Sequence, residues 1–244
     1  MDFFKIIVVG IIQAITEFLP ISSSGHMNLF KFLFHLPDGI YLDVFFNTAT
    51  LFSVIFYFRH HLLDFLKKIP FLFISTLPIV IVTFFYLPAI DSFFFNTTSY
   101  LSISFLVTSI FLYSTKSNNR GTRDIDFTKA FILGLVQIIA IAPGVSRSAI
   151  TISTALLLGL SPQNAFIYSF YMYIPVSVGA FIMSILWPSP INRIQPYYLV
   201  AFVISSLIGF LAIRLLNKII IHKHFWKFSI YTLFISLFSY LIVR

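Results

Sequence analysis

The stretch Gln13-Ala-Ile-Thr-Glu-Phe-Leu-Pro-Ile-Ser-Ser-Ser-Gly-His26 interrupts the first apolar segment of the chain with a carboxylate, a proline and three consecutive serines. A related break, Ala142-Pro-Gly-Val-Ser-Arg-Ser148, interrupts an apolar segment in the second half. Because proline and glycine end or kink helices, each segment is predicted to form two half-helices. Irregular backbone at membrane depth occurs only where protein buries it or where it lines a watery cavity. The sequence therefore predicts re-entrant hairpins at 3–34 and 129–160, with a kinked full span as the alternative.

The composition around these breaks is that of an integral membrane protein. Of the 244 residues, 59% are hydrophobic and only 10% are charged, and the mean hydropathy is +0.96. A soluble domain carries roughly 25% charged residues, so that class is excluded. The absence of cysteine excludes disulfides, thiolate metal sites and a cysteine nucleophile. A span needs about 20 apolar residues, and six stretches qualify: 41–58, 69–89, 93–115, 163–187, 195–213 and 225–243.

The two halves of the chain resemble each other. A shift of 124 residues places Gly10-Ile-Ile-Gln13 on Gly134-Leu-Val-Gln137, and Ser22-Ser-Ser24 on Ser146-Arg-Ser148. A hairpin returns to its own side of the membrane and three spans do not, so the second half begins on the opposite face, as in inverted-topology repeats. The predicted fold is an all-α integral membrane protein with six transmembrane helices plus two re-entrant helical hairpins. Its single membrane domain divides into a first repeat at 1–115, a cytoplasmic loop at 116–128 and a second repeat at 129–244.

The basic residues give an independent prediction of orientation. Cytoplasmic loops are enriched in Lys and Arg, and this topology places eleven basic residues on one side and four on the other. The eleven are Arg59, Lys67, Lys68, Lys116, Arg120, Arg123, Lys129, Arg214, Lys218, Lys223 and Lys227, and the four are Lys5, Lys31, Arg193 and Arg244. The loops at 59–68, 116–128 and 214–224 are therefore predicted to be cytoplasmic, with both termini outside. The net charge of +8 is then explained by basic cytoplasmic loops, so it does not indicate nucleic acid as a partner.

Two charged residues lie within the broken apolar segments. Glu17, the only glutamate of the chain, and Arg147 occupy the first and second break. A charge at bilayer depth costs about 2.5–3.5 kcal/mol on insertion scales, so it persists only with a partner or a task. One interpretation is an ion pair that merely fixes the hairpins together. The other is a functional site, which Gln13 favours because it lies on the same helical face as Glu17.

The small and polar residues at the two breaks favour a phosphate site. Serine hydroxyls, an arginine and the free N–H groups of two helix N-termini are typical ligands of phosphate. A carboxylate beside phosphate would repel it unless a divalent cation lies between, so Glu17 and the Gln13 carbonyl are expected to hold Mg²⁺ or Ca²⁺. A nucleophile and its base are expected among the serines at 22–24 and at His26. The predicted binding residues are Gln13, Ser22, Ser24, Gly25, Gly144, Ser146, Ser148 and Thr151.

The two motifs resemble the signature of the BacA-type undecaprenyl-diphosphate phosphatase family, whose first motif has Glu or Gln four residues before Glu and whose second reads Pro-Gly-x-Ser-Arg-Ser-Gly-x-Thr. The resemblance implies a multi-pass hydrolase of the bacterial plasma membrane that depends on a divalent cation. It implies removal of the terminal phosphate of undecaprenyl diphosphate, which recycles a lipid carrier for cell-wall synthesis and contributes to bacitracin resistance. Carried over by position, Gln13 and Glu17 form the acidic motif, Ser23 and His26 the nucleophile and base in an order left open, and Arg147 the phosphate clamp.

The chain departs from this family pattern at two positions. Gln13 is neutral, so a second metal-binding carboxylate must come from elsewhere, and Asp43 near the start of a span is the candidate. Ala149 stands where the family prefers glycine. If that position required a positive φ, alanine would be strained there.

Inverted repeats with broken helices are also typical of transporters. A flippase that moves a polyprenyl phosphate across the membrane through the same anion site is therefore the alternative function. The expected partners are the polyprenyl diphosphate substrate and membrane lipid, and the sequence leaves room for a homodimer.

Overall fold

The computed structural model describes residues 3–34, 40–95, 100–117, 121–186 and 196–242. Its regular secondary structure is helical throughout these ranges, with one isolated bridge between Arg123 and Leu160. The helices of the first half are α1 (Phe3–Phe18), α2 (Ser23–Phe34), α3 (Ile40–Tyr57), α4 (Leu62–Phe95) and α5 (Tyr100–Tyr113). Those of the second half are α6 (Phe127–Gln137), α7 (Arg147–Leu157), α8 (Pro162–Leu186), α9 (Pro196–Ile221) and α10 (Phe228–Ile242), with 3₁₀ turns at Arg59–His61, Ile138–Ile141 and Phe225–Lys227.

Several of these helices have the length and composition of membrane spans. Within the described ranges, four are long and apolar enough to cross a membrane: Arg59–Tyr86, Pro162–Ile185, Pro196–Ile221 and Phe225–Ile242. The predicted spans 41–58 and 93–115 correspond to shorter apolar helices, Leu42–Tyr57 and Tyr100–Tyr113, and residues 96–99 lie outside the described part. The prediction of an all-helical, multi-pass membrane protein is confirmed.

Both predicted breaks are present. Helix α1 ends at Phe18, two residues before Pro20, and α2 begins at Ser23. In the second half the 3₁₀ turn ends at Ile141, before Pro143, and α7 begins at Arg147. Helix α1 packs against α2, and α6 packs against α7. Each apolar segment is therefore divided into two helices that contact each other, whereas its re-entrant path through the membrane stays a prediction.

Helices from the two halves pack in matching pairs. Helix α1 contacts α9 and its counterpart α6 contacts α4, while α5 packs on α10 and α3 on α8. Hydroxyl groups join several of these pairs: Ser205 Oγ donates to the carbonyl oxygen of Gly10 (3.0 Å), and Ser109 Oγ donates to that of Ser229 (2.8 Å). Without a hydrophobic force between helices in lipid, small residues and interhelical hydrogen bonds are what hold such pairs together.

A buried aromatic cluster supports the end of α1 that carries Glu17. Phe18 is 1% exposed and stacks on Phe170 of α8, with ring centroids 5.7 Å apart. Phe166 and Phe58 continue the cluster toward α3. Aromatic pairs of this kind contribute about 0.5–1.5 kcal/mol beyond the area that they bury. The backbone that positions Glu17 is therefore fixed by packing immediately behind it.

Candidate active site

Each break places a serine at the N-cap of the helix that follows. Ser22 Oγ accepts a hydrogen bond from the backbone N–H of Gly25 (3.2 Å), and Ser146 Oγ accepts one from that of Ala149 (3.3 Å). The two serines are equivalent under the 124-residue shift, so the same cap is built twice. Capping satisfies one of the four backbone donors at a helix N-terminus. The remaining N–H groups at the starts of α2 and α7 are suited to binding an anion.

The two turns touch each other through their glycines. A Cβ atom added to Gly25 would lie 2.5 Å from Phe105 Cζ and 2.8 Å from Gly144 Cα, so no side chain fits at this position. Gly144 has a φ of +92°, which side chains rarely adopt, and its N–H donates to Ser24 Oγ (3.2 Å). Gly25 and Gly144, which were predicted to bind substrate, thus hold the turns in contact and do not line the cavity described below.

Glu17 accepts hydrogen bonds from three side chains of the site. Its Oε1 accepts a hydrogen bond from Arg147 Nη2 (2.8 Å), and its Oε2 accepts bonds from Ser23 Oγ (2.6 Å) and Gln13 Nε2 (3.1 Å). The side chains are 10% exposed at Glu17 and 21% exposed at Arg147. The predicted ion pair between the two breaks is therefore formed. Breaking a buried pair by removing one partner costs about 3–5 kcal/mol, because the other charge is left uncompensated.

These groups face a cavity of about 500 Å³. A volume of about 300–1,000 Å³ is typical of small-molecule sites, so a diphosphate headgroup fits. The polar residues of its wall come from both breaks and from α2 and α3: Gln13, Glu17, Ser22, Ser23, Ser24, Asn28, Asp43, Asn47, Ser146, Arg147 and Ser148. The cavity thus joins a carboxylate, an arginine and several hydroxyl donors on one surface.

His26 occupies a different place from the one predicted. Its Nδ1 donates to the carbonyl oxygen of Ser22 (2.7 Å), and its Nε2 lies 2.8 Å from the hydroxyl of Tyr231 on α10. The predicted Ser23–His26 pair is not formed, since the ring bonds back to the residue four positions earlier and Ser23 bonds to Glu17. Ser22 has a φ of +72°, a conformation that costs about 1–3 kcal/mol for a non-glycine residue. The bond from His26 therefore helps to hold the strained turn that presents Ser23.

Thr151 and Ala149 also lie behind the cavity wall. Thr151 Oγ1 donates to the carbonyl oxygen of Arg147 (2.8 Å) and lies 2.6 Å from Ser169 Oγ of α8, so it ties the arginine's helix to its neighbour. Ala149 lies within α7 and is fully buried. It is not among the described non-glycine residues with positive φ, so alanine is unstrained where the family prefers glycine.

The donor set at the cavity fits a divalent cation only if substrate oxygens complete its shell. Among the residues that the structure describes, no three His, Cys, Asp or Glu side chains lie together so that they could hold a metal ion. Both oxygens of Glu17 already accept hydrogen bonds, and Asp43, which lines the same cavity, accepts one from Lys31 (2.8 Å). Mg²⁺ is commonly held by one or two carboxylates together with substrate phosphates. Glu17 and the Gln13 carbonyl would hold such an ion, with Asp43 as the nearby second carboxylate.

Several residues that matter to the site were not predicted. Asn28 and Asn47 line the cavity, and Asn47 carried a signal, since it is an amide within the apolar stretch 41–58. Tyr231 contacts His26, and Tyr173 of α8 places its ring against Arg147. The sequence gives no signal for these two tyrosines, because they are two among twelve in a chain that is 19% aromatic.

Comparison with known proteins relates the whole chain to one family. The profile of the family described as bacitracin resistance protein BacA matches residues 6–238. A protein of Thermosipho africanus named undecaprenyl-diphosphatase is 37% identical over 97% of this chain and 98% of its own length. Proteins with the same name from Korarchaeum cryptofilum and Methanococcus vannielii are 32% and 31% identical, over 97% and 95% of this chain and 98% and 97% of their own lengths.

Proposed function

This chain belongs to the BacA family, and from that premise we propose that it hydrolyses undecaprenyl diphosphate to undecaprenyl phosphate and inorganic phosphate. The observation that carries the proposal is the set of contacts around Glu17. A serine hydroxyl and an arginine guanidinium bond to its two oxygens on the wall of one cavity. As in the family, the product is the lipid carrier that cell-wall synthesis uses again, and removal of the diphosphate counters bacitracin.

The geometry supports a phosphoryl transfer in which Ser23 attacks. Ser23 Oγ forms a bond to the terminal phosphorus while the bond from that phosphorus to the bridging oxygen breaks and undecaprenyl phosphate leaves. The Ser23 proton passes to Glu17 Oε2, which already accepts it in a hydrogen bond of 2.6 Å. A water oxygen then bonds to this phosphorus while its bond to Ser23 Oγ breaks, the proton on Glu17 Oε2 returns to Ser23 Oγ, and inorganic phosphate leaves. Arg147 and the N-terminal N–H groups of α2 and α7 bind the phosphate oxygens, on which negative charge is concentrated.

We also propose that the reaction depends on a divalent cation held through Glu17 and Gln13 together with substrate phosphate. When bound there, such an ion would neutralise part of the phosphate charge. The supporting observation is that a carboxylate and an anion-binding arginine share one cavity, where the carboxylate would otherwise repel the substrate.

The membrane arrangement proposed for this activity is the six-span, two-hairpin inverted repeat in the bacterial plasma membrane, with both termini outside. Two facts support it. The repeat relates the contact of α1 with α9 to the contact of α6 with α4. Each half also contains one apolar segment that is divided into two helices at a proline. The undecaprenyl tail would lie among apolar side chains that face lipid. Transport as an alternative function has no support, since the relatives carry the name of a hydrolase.

Phosphate release by the purified chain in detergent tests the proposed function. Wild-type protein is expected to release one phosphate per undecaprenyl diphosphate without any ion gradient, and EDTA is expected to stop it. Glu17→Gln and Arg147→Ala are each expected to lower the turnover number at least about a hundredfold, because each removes a group that accepts the proton or binds developing charge.

Lys68→Ala is the matched control, since it removes an ion pair with Asp124 (3.2 Å) outside the cavity. A pair of this kind contributes about 0–1 kcal/mol, so turnover is expected to stay near wild type. The double variant Glu17→Gln with Arg147→Met leaves no uncompensated buried charge, so it is expected to fold. If it is obtained in folded form but releases no phosphate, the loss of activity is not caused by misfolding. Near wild-type turnover by either single variant would overturn the site, and absence of phosphate release by wild type would overturn the function.

A further inference from the structure

Arg147 is held on two sides by groups of different character. On one side it donates to Glu17 (2.8 Å), and on the other its guanidinium carbon lies over the ring of Tyr173, 4.2 Å from the centroid. Arg147 lines the cavity, whereas Tyr173 does not and is 2% exposed. The tyrosine ring is therefore a support on the protein side of the arginine.

The two contacts differ in what they leave for a ligand. The bond to Glu17 uses an N–H donor of the guanidinium and neutralises its charge. A contact with the face of an aromatic ring attracts the cation but uses none of its five in-plane donors. A phosphate that takes those donors from Glu17 therefore does not have to displace the ring.

The ring itself is anchored. The Tyr173 hydroxyl donates to Asn47 Oδ1 (2.7 Å) and lies 2.8 Å from Thr50 Oγ1, both on α3. Phe18 packs against the edge of the ring, with centroids 6.2 Å apart. Asn47 lines the same cavity as Arg147, so one buried tyrosine links a residue on each of two cavity walls.

We propose that Tyr173 is a positioning residue that holds Arg147 for a diphosphate ligand, with its hydroxyl tying the ring to Asn47. The inference rests on the proposed function for the identity of the substrate, but its physical content is the placement of an anion-binding guanidinium. Tyr173 touches neither substrate nor reacting atoms and acts only through Arg147.

Binding of inorganic pyrophosphate to the full chain in detergent tests this role without requiring turnover. Tyr173→Leu removes the aromatic face and is expected to weaken pyrophosphate binding about tenfold or more, whereas Tyr173→Phe keeps the face and stays within about threefold of wild type. Arg147→Ala is expected to lose the binding. KM for undecaprenyl diphosphate is expected to rise in the same order, least in Tyr173→Phe and most in Arg147→Ala.

Tyr168→Leu is the matched control for loss of a buried ring. Tyr168 lies on the same helix, is 1% exposed, and its hydroxyl donates to Ser75 Oγ (3.0 Å), away from Arg147. Both leucine variants are expected to melt at lower temperature, but only Tyr173→Leu is expected to weaken pyrophosphate binding. Because Tyr173→Phe lacks the hydroxyl but keeps the ring, normal binding by this variant would assign the loss in Tyr173→Leu to the ring.

Three outcomes would overturn the inference: Tyr173→Leu binds pyrophosphate like wild type, Tyr168→Leu weakens binding equally, or wild type and Arg147→Ala bind it equally. The proposed function fails separately. If pyrophosphate binds through Arg147 and Tyr173 but wild type releases no phosphate from undecaprenyl diphosphate, the positioning role stands and the hydrolase assignment does not.

Discussion

At the residue scale, the proposed mechanism depends most on Ser23. It begins α2, directly after the strained Ser22, and its hydroxyl is directed to Glu17 Oε2. A carboxylate that accepts from a serine can take its proton as the oxygen attacks phosphorus. His26, three residues later, contributes to the same turn through the carbonyl oxygen of Ser22. In the proposed mechanism, Ser23 of this short motif is the nucleophile, and His26 stabilises the backbone that positions it.

We predict that Ser23→Ala lowers turnover at least about a thousandfold, because it removes the nucleophile while the remaining binding groups persist. Ser24→Ala is the neighbouring comparison, because Ser24 Oγ also lines the cavity but bonds to Gly144 N–H and Ser22 Oγ, not to Glu17; it is expected to keep a measurable fraction of the activity. Labelling with a substrate that carries ³²P in its terminal phosphate identifies the attacking atom. An acid-stable phosphoserine that disappears in Ser23→Ala is expected, whereas an acid-labile phosphohistidine that disappears in His26→Ala would contradict it.

At the scale of elements, the site depends on how closely the two turns approach. Helices α1 and α2 bring Glu17 and Ser23 to one turn, and α7 brings Arg147 from the other. The turns meet where Gly25 lies against the backbone of Gly144. Because the Glu17–Arg147 bond spans this contact, a shift of even a methyl group's width between the turns would lengthen it. The glycines are therefore required for geometry, although they do not line the cavity.

Gly25→Ala is expected to cost about 1–3 kcal/mol of stability through overpacking. It is also expected to reduce turnover, because the turns must separate. Gly179→Ala is the matched control: a Cβ there meets nothing within 4 Å, and within helix α8 the change is expected to stabilise by about 0.5–1 kcal/mol. Thermal unfolding and phosphate release, measured on the same preparations, check both expectations. If Gly25→Ala and Gly179→Ala have equal stability and turnover, close contact between the turns is not required.

The connection between the halves has its own electrostatic support. Asp126 caps α6 by accepting from the backbone N–H of Lys129 (2.9 Å), and its carboxylate also accepts from the Lys129 side chain. Hydrogen bonds from Lys129 lower the pKa of the Asp126 carboxyl. Lys68 of α4 reaches Asp124 of the same connection. The Lys68–Asp124 pair thus joins this connection to α4, along which α6 also packs.

At the scale of the whole molecule, the distribution of basic residues predicts the orientation in the membrane. Most of the residues that give the bias lie near helix ends in the described part, including Arg59, Lys116 and Lys223, whereas Arg120, Arg193 and Arg244 lie outside it. Lys116 Nζ lies 4.8 Å from the centroid of the Trp226 ring, and Arg59 lies over Phe56. Paired basic and aromatic side chains at helix ends are typical of a membrane interface.

Orientation is testable because the chain has no cysteine, so any introduced cysteine is unique. His60→Cys, Lys116→Cys and His222→Cys are expected to react with a membrane-impermeant maleimide only after cells are permeabilised. Lys5→Cys is expected to react in intact cells. These expectations follow from the excess of Lys and Arg in cytoplasmic loops. Each variant needs near wild-type phosphate release as its control, and the opposite labelling pattern would reverse the predicted orientation.

The sequence by itself determined the class of fold, the positions of the two breaks and the list of chemically active residue types. It could do so because a charged residue, a proline or a serine within an apolar membrane segment costs free energy. Each such residue therefore marks a special position without reference to the rest of the fold. Glu17 and Arg147 were predicted in this way. Only the tertiary structure decided the partners: Ser23 with Glu17 instead of His26, His26 with Tyr231, and Tyr173 beneath Arg147. Those contacts depend on how helices distant in the chain pack, and no local pattern in an aromatic-rich sequence encodes which ring faces which charge.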